Sequence, residues 1–310
     1  RRGKVGRPMR TGVLVMAYGT PTTPDDVEAY YTRIRHGRAP TPELLADLVR
    51  RYDAIGGTSP LARRTTDQVA ALAAALDASA PGAFDVRFGS KYEPPLLEST
   101  AESFRLDGLS KVVGLALAPH SSSMSTDQYM SRAREALGES VELVAVGAWW
   151  DFPGFLELIA LRVNEALAAL PEGRRATTEV IFSAHSLPQK ILALGDTYPE
   201  QLRESAERAA ALAGVARWDV AWQSAGRTAD PWIGPDILEV IRTKRDEGVT
   251  DIVSCPIGFV ADHLEVLYDI DIEAQDVART VGINLVRTAS LNADPRFVTV
   301  LADVVRAAAT

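Results

Sequence analysis

Glu179-Val180-Ile181-Phe182-Ser183-Ala184-His185-Ser186-Leu187-Pro188 holds a pattern that recurs along the chain. Its apolar, β-branched run has no polar alternation and is too short for a helix, so it reads as a strand buried on both faces of a parallel sheet. The polar residues that follow place His185 at a strand C-terminus, where open α/β sheets put their ligands. The same grammar appears downstream, where Asp251-Ile252-Val253-Ser254-Cys255-Pro256-Ile257 precedes Asp262-His263-Leu264-Glu265. It appears upstream too, where Gly12-Val13-Leu14-Val15-Met16-Ala17 runs into Tyr18-Gly19-Thr20-Pro21. Val112 to Ala118, followed by Pro119-His120-Ser121, is a loose copy of the segment ending in His185.

Outward from these runs the chain alternates. Strands are expected near 12–17, 84–89, 111–117 and 141–147, then near 178–183, 218–223, 250–256 and 283–286. Helical stretches fall between them, near 24–36, 42–53, 64–78, 96–105, 126–137 and 153–170, with a closing helix near 294–308. Thr23 is the expected cap of the first, with Pro24 behind it. Regular βα alternation with buried strands predicts an α/β protein of parallel, doubly wound sheets. Two sets of about four strands predict two Rossmann-like lobes. Residues 1–10 read as a basic, disordered leader and 11–150 as the first lobe, rejoined by the C-terminal segment 288–310; residues 151–287 read as the second lobe.

Composition narrows the function classes. At 310 residues, 46% hydrophobic and 24% charged, this is an ordinary globular composition. The longest apolar runs fall short of the roughly 18 residues a membrane span needs. One cysteine, Cys255, precludes an internal disulfide and fits a cytoplasmic setting. The net charge of −8 hides an asymmetry: Arg33, Arg35, Arg38, Arg50, Arg51, Arg63 and Arg64 crowd the first seventy residues, while acid dominates the rest. One region suits an anion and another a cation. There is no G-x-G-x-x-G after a strand, P-loop, H-E-x-x-H, C-x-x-C or G-x-S-x-G, and no basic–aromatic interleaving for nucleic acid.

What remains is imidazole and carboxylate. An imidazole with an ordinary pKa of about 6.5 is mostly neutral at pH 7 and can accept a proton or ligate a metal. If Asp262 opens a helix, Asp262, Glu265, Asp269 and Glu273 follow at offsets of 3, 4 and 4, a file of carboxylates on one face. Such a file can relay protons or a hydrated cation; for Asp262, favourable placement at a helix start accounts for the residue equally well. His185 and Glu265 are the expected catalytic pair, and His185, Glu265, Asp269 and Glu273 the expected metal-handling set. His36 and His263 read as surface or supporting residues, and His120 is open between packing and function.

Eight segments carry a resemblance to ferrochelatases that spans nearly the whole chain. They include Tyr18-Gly19-Thr20-Pro21, Arg35-His36-Gly37-Arg38, Arg51-Tyr52-Asp53-Ala54-Ile55-Gly56-Gly57-Thr58-Ser59-Pro60, Ser183-Ala184-His185-Ser186-Leu187-Pro188, Trp222-Gln223-Ser224-Ala225-Gly226 and Gly258-Phe259-Val260-Ala261-Asp262-His263-Leu264-Glu265. The chain looks most like the coproporphyrin enzymes of Gram-positive-type bacteria. The resemblance implies a type II chelatase-like fold and insertion of Fe²⁺ into coproporphyrin III during haem biosynthesis. It also implies that Tyr18 faces the metal from the far side of the macrocycle. Thr20, Arg35, Arg51, Tyr52 and Ser59 would contact propionates. Trp232 is open between walling the pocket and packing in the core. Coproporphyrin III and Fe²⁺ are then the substrates of a cytoplasmic monomer, with transient contacts to neighbouring haem-pathway enzymes and none to nucleic acid. No tightly bound cofactor is expected, and a lone cysteine cannot hold the four-thiolate [2Fe–2S] cluster of some actinobacterial relatives. Protoporphyrin IX as substrate, a haem-binding or transfer protein without catalysis, and a cobalt chelatase of the same fold are the alternatives.

Overall fold

The computed structural model describes residues 10–226 and 228–310, so the expected leader, Arg10 apart, lies outside the described residues. Among these residues, eight strands form two four-stranded sheets, ordered β2-β1-β3-β4 and β6-β5-β7-β8, with every pairing parallel. The first comprises β1 (Thr11–Ala17), β2 (Phe84–Ser90), β3 (Lys111–Ala116) and β4 (Glu142–Val146). The second comprises β5 (Glu179–His185), β6 (Trp218–Gln223), β7 (Asp251–Cys255) and β8 (Asn284–Arg287). In each sheet the strand order reverses beside the first strand of the lobe, which is where a doubly wound sheet opens a crevice.

The strand period of two explains how the two faces of each sheet feed three apolar clusters among the described residues. On β1, Val13 and Val15 enter a large core that Val180 and Phe182 of β5 also enter, so one apolar mass runs through both lobes. Leu14 and Met16 point the other way, onto α4 (Leu97–Leu106) and α5 (Thr126–Leu137), and Ile181 points onto α8 (Ile237–Asp246). The helices α1 (Val27–Ile34), α2 (Pro42–Ala54) and α3 (Leu61–Ser79) fill the long β1–β2 connection. Pro24 does open a helical turn, and Thr23 N donates to the Asp26 carboxylate at 3.0 Å.

Between the sheets lie α6 (Pro153–Ala168), α7 (Tyr198–Ala213) and the closing helix α11 (Pro295–Ala309). Helix α11 returns to the first lobe: Phe297 meets Trp149 at 6.0 Å, Lys111 Nζ donates to Ala309 O at 2.7 Å, and Arg306 reaches Ser79. Among the described residues no helix is long and apolar enough to cross a membrane.

One expectation about the acidic stretch is corrected. Helix α9 (Leu264–Leu267) starts two residues after Asp262, and His263 occupies its N-cap. Asp262 instead accepts hydrogen bonds from Ser290 Oγ at 2.7 Å and Asn292 Nδ2 at 2.9 Å, with Arg287 3.4 Å away. It therefore neither opens the helix nor joins the file on it. Past Tyr268 the helix also changes type, since Asp269–Ala274 is a π-helical segment before α10 (Gln275–Val281) resumes.

Candidate active site

His185 is the last residue of β5, and its ring is oriented from both sides. Nδ1 donates to the Ser186 carbonyl, leaving Nε2 facing Glu265 Oε1 at 3.4 Å. The backbone below is pinned by Tyr198, whose hydroxyl donates to His185 O at 3.0 Å. Gly258 explains how the β7 loop comes close enough: a Cβ there would lie 2.5 Å from that of Ala184. Trp232 stands 6.4 Å from the imidazole and donates through Nε1 to Thr228, and a Cβ at Gly226 would collide with its ring.

Glu265 sits between two imidazoles, with Oε2 3.4 Å from His263 Nε2. His263 is thus a direct neighbour of the carboxylate rather than a surface residue. Burial opposes charge on both members of the central pair, yet mutual attraction wins. His185 is raised to about 9 and Glu265 falls below the usual carboxylate range. The pairing thus favours the charged form of both side chains, an imidazolium beside a carboxylate, over the neutral imidazole expected for His185.

Asp269 is buried and behaves differently. Burial, then the charge of Glu265, push it up to about 7, against a hydrogen bond from Ser224 Oγ and the Arg51 guanidinium 3.7 Å away. Glu273 follows it, and both line a small cavity of about 110 Å³ with Ser224 and Asp236. Among the described residues no three His, Cys, Asp or Glu side chains converge closely enough to hold a metal ion. The set expected to handle metal is therefore an imidazole–carboxylate pair followed by a file, and not one coordination sphere.

Across the cleft, Tyr18 extends β1 and lies 42% exposed, its ring 4.8 Å from Tyr92. Partial desolvation, then Tyr92 and Glu265, raise its phenol well above the ordinary value, so it feels the charge on the opposite lobe. Thr20 and Tyr52 are buried with their hydroxyl oxygens 3.4 Å apart, and Ser59 Oγ accepts from Leu61 N. Arg51 bonds Asp47 at 3.1 Å and stacks on Tyr268, besides approaching Asp269, so it spans the lobes. Arg35 is freer, lying over Tyr31 and donating to Arg38 O. A hollow of about 650 Å³ beside Tyr92 has a basic rim of Arg33, Lys91 and Arg132. Burial lowers Lys91 to about 8.

Sequence reasoning gave no role to Gln223, Ser224 or Lys91, although Gln223 and Ser224 end a strand as His185 does. His120 lies in the packed interior. It is buried on Tyr198, with Nε2 2.8 Å from Ser205 Oγ, and burial lowers it to about 3. Cys255 is buried in β7, which pushes its thiol up to about 12.

Two parallel-sheet lobes, one carrying an imidazole–carboxylate pair and the other a phenol at a strand end, have the architecture of a chelatase. Solved structures agree on the fold: SirB from Bacillus subtilis with Fe³⁺ superposes with a TM-score of 0.59 at 13% identity, covering 97% of this chain and 96% of that one. CbiX, the terminal enzyme of sirohaem biosynthesis in denitrifying bacteria, gives 0.55 at 14% identity, covering 96% and 99%. In sequence, the ferrochelatase family profile matches residues 10–309. A ferrochelatase of Herpetosiphon aurantiacus is 46% identical over 96% of this chain and 98% of its own. The coproporphyrin III ferrochelatase of Bacillus subtilis is 44% identical over 96% and 97%. The chain belongs to the ferrochelatase family.

Proposed function

We propose that this ferrochelatase inserts Fe²⁺ into coproporphyrin III, giving Fe-coproporphyrin III and two protons, in the cytoplasm. The observation that carries the reading is the His185–Glu265 pair at 3.4 Å, set at the C-terminus of β5. Insertion replaces two pyrrole N–H bonds by metal–nitrogen bonds, so the site must take up two protons while it releases a cation. The pair as it stands already holds one proton on His185. A divalent cation arriving at Glu265 weakens the attraction that keeps it there, so that proton passes to solvent; His185 then accepts one pyrrole proton and solvent water takes the other. Asp269 and Glu273 supply the approach for the cation, and Tyr18 confronts the opposite face of the macrocycle. Cleft walls that hold the ring out of plane would expose the nitrogens, a distortion worth roughly 1–5 kcal/mol.

The choice of coproporphyrin is supported by the names of relatives such as the Bacillus subtilis and Geobacillus enzymes. It is also supported by Arg35, which is neutralised by no carboxylate among the described residues and is left for a propionate. Thr20, Tyr52, Ser59 and Trp232 complete the proposed porphyrin contacts. Arg51 contributes by ordering Asp269 as much as by meeting a propionate.

Steady-state insertion of Fe²⁺ into coproporphyrin III and protoporphyrin IX, side by side, tests the proposal. Much higher kcat/KM for coproporphyrin III is expected. Equal values overturn the substrate choice, and tight binding of the iron porphyrin without insertion of free Fe²⁺ overturns the enzyme reading.

A further inference from the structure

We infer that Gln223 and Ser224, adjacent at the end of β6, are positioning residues for metal delivery that hold Glu265 and Asp269 at fixed places along the cleft. The inference rests on the proposed metal-handling role of those two carboxylates. Gln223 is 1% exposed, and both ends of its amide are engaged. Its Oε1 accepts from Ser183 Oγ at 2.9 Å and its Nε2 donates to the Glu265 backbone carbonyl at 2.7 Å. A carbonyl only accepts, so the amide orientation is fixed by its partners. The Gln223 backbone carbonyl also accepts from Ser186 N at 2.7 Å, tying the same residue to the loop that follows His185.

Ser224 adds a second tie one residue on. Its backbone lies at φ 61°, a region non-glycine residues seldom occupy, and its hydroxyl donates to Asp269 Oδ2. Adjacent residues on one strand end thus grip residues four apart on the facing segment. That segment needs outside support. Between Glu265 and Glu273 the helix passes from α to π, and the amides of Ile272 and Glu273 both reach the Tyr268 carbonyl, at 3.2 and 2.9 Å. At such a junction side chains can change face with little change in the hydrogen-bond ladder. The ties to β6, joined to Ser183 and Ser186 of the His185 strand and its loop, supply the register that the ladder does not.

The test uses Ser224→Gly, which suits the positive φ and removes the hydroxymethyl group with its hydrogen bond, and Gln223→Met, which keeps volume and removes the amide. Co²⁺ titration of the porphyrin-free protein, read by its visible bands, is expected to show roughly 10- to 100-fold weaker binding. The KM for Fe²⁺ should rise comparably while the KM for coproporphyrin III and the melting temperature of Ser224→Gly hold. Ser224→Asn, which tolerates positive φ and restores a donor, should recover most of the loss. Unchanged Co²⁺ affinity and Fe²⁺ KM in Ser224→Gly overturn the inference, as does a parallel rise in both KM values with a lowered melting temperature. Glu265→Gln separates the two layers. Full activity in that variant overturns the carboxylate reading beneath, whereas an inactive Glu265→Gln beside a normal Ser224→Gly overturns the latch alone.

Discussion

At the scale of the residue, the chemistry depends on one proton and where it sits. His185→Ala is expected to lower turnover by on the order of 10²- to 10⁴-fold, the usual worth of a positioned base, with porphyrin binding retained in a fluorescence titration. The His185 imidazole should titrate at about 9 by NMR. In Glu265→Gln it should fall toward the ordinary value of about 6.5 or below, because attraction is removed and desolvation remains. The sign for stability follows. A histidine raised in the folded state contributes fully below its unfolded pKa of about 6.5, and that contribution is lost as pH rises through about 9. Glu265, held low, contributes above its unfolded value of about 4.3 and loses that as pH falls. The pair therefore stabilises most between those limits, and an NMR pKa of His185 unchanged by Glu265→Gln would dismiss the coupling.

At the scale of the element, α9 and the π-helical segment divide what a sequence can reveal from what it cannot. The strands were legible because an unbroken β-branched run has few other ways to hide from water, and His185 was legible because it ends one. Glu265 was recognisable for a similar reason, as the carboxylate after a second run. The helix start at Leu264 was not, since Asp262 has the chemistry of a cap but is drawn away by Ser290, Asn292 and Arg287. Nor does local composition mark a π turn, which tertiary contacts impose. The approach of Arg51 to Asp269 was hidden for the same reason, because the two lie over two hundred residues apart along the chain. Two expectations follow for this element. Asp262→Ala should cost roughly 1.5–3 kcal/mol in urea unfolding through lost charge-assisted bonds, with catalysis surviving. Asp269→Asn should impair Fe²⁺ use more than Glu273→Gln does, because Asp269 is buried beside Glu265 and Glu273 is farther out. The reverse order in Fe²⁺ KM would break the file.

At the scale of the whole molecule, the lobes are joined by a shared core and by buried polar contacts that respond to acid. His120 is neutral when folded, at about 3, and about 6.5 when unfolded. The unfolded chain thus binds the extra proton between those values, so stability contributed by keeping His120 neutral is complete above pH about 6.5 and declines as pH falls toward 3. His120→Asn should flatten that part of the stability–pH curve, even if it lowers the plateau; an unaltered slope in chemical denaturation would exclude the assignment. Phe297→Ala, on α11, should cost roughly 3–5 kcal/mol by emptying space against Trp149. That helix has a bearing on how the protein is made. A ribosome releases the first lobe long before it releases Pro295 to Ala309, yet the apolar surface of α3 and Trp149 is closed by those residues. The nascent chain therefore carries an open apolar groove while the second lobe is being synthesised, and the first lobe completes its core only when the last helix emerges.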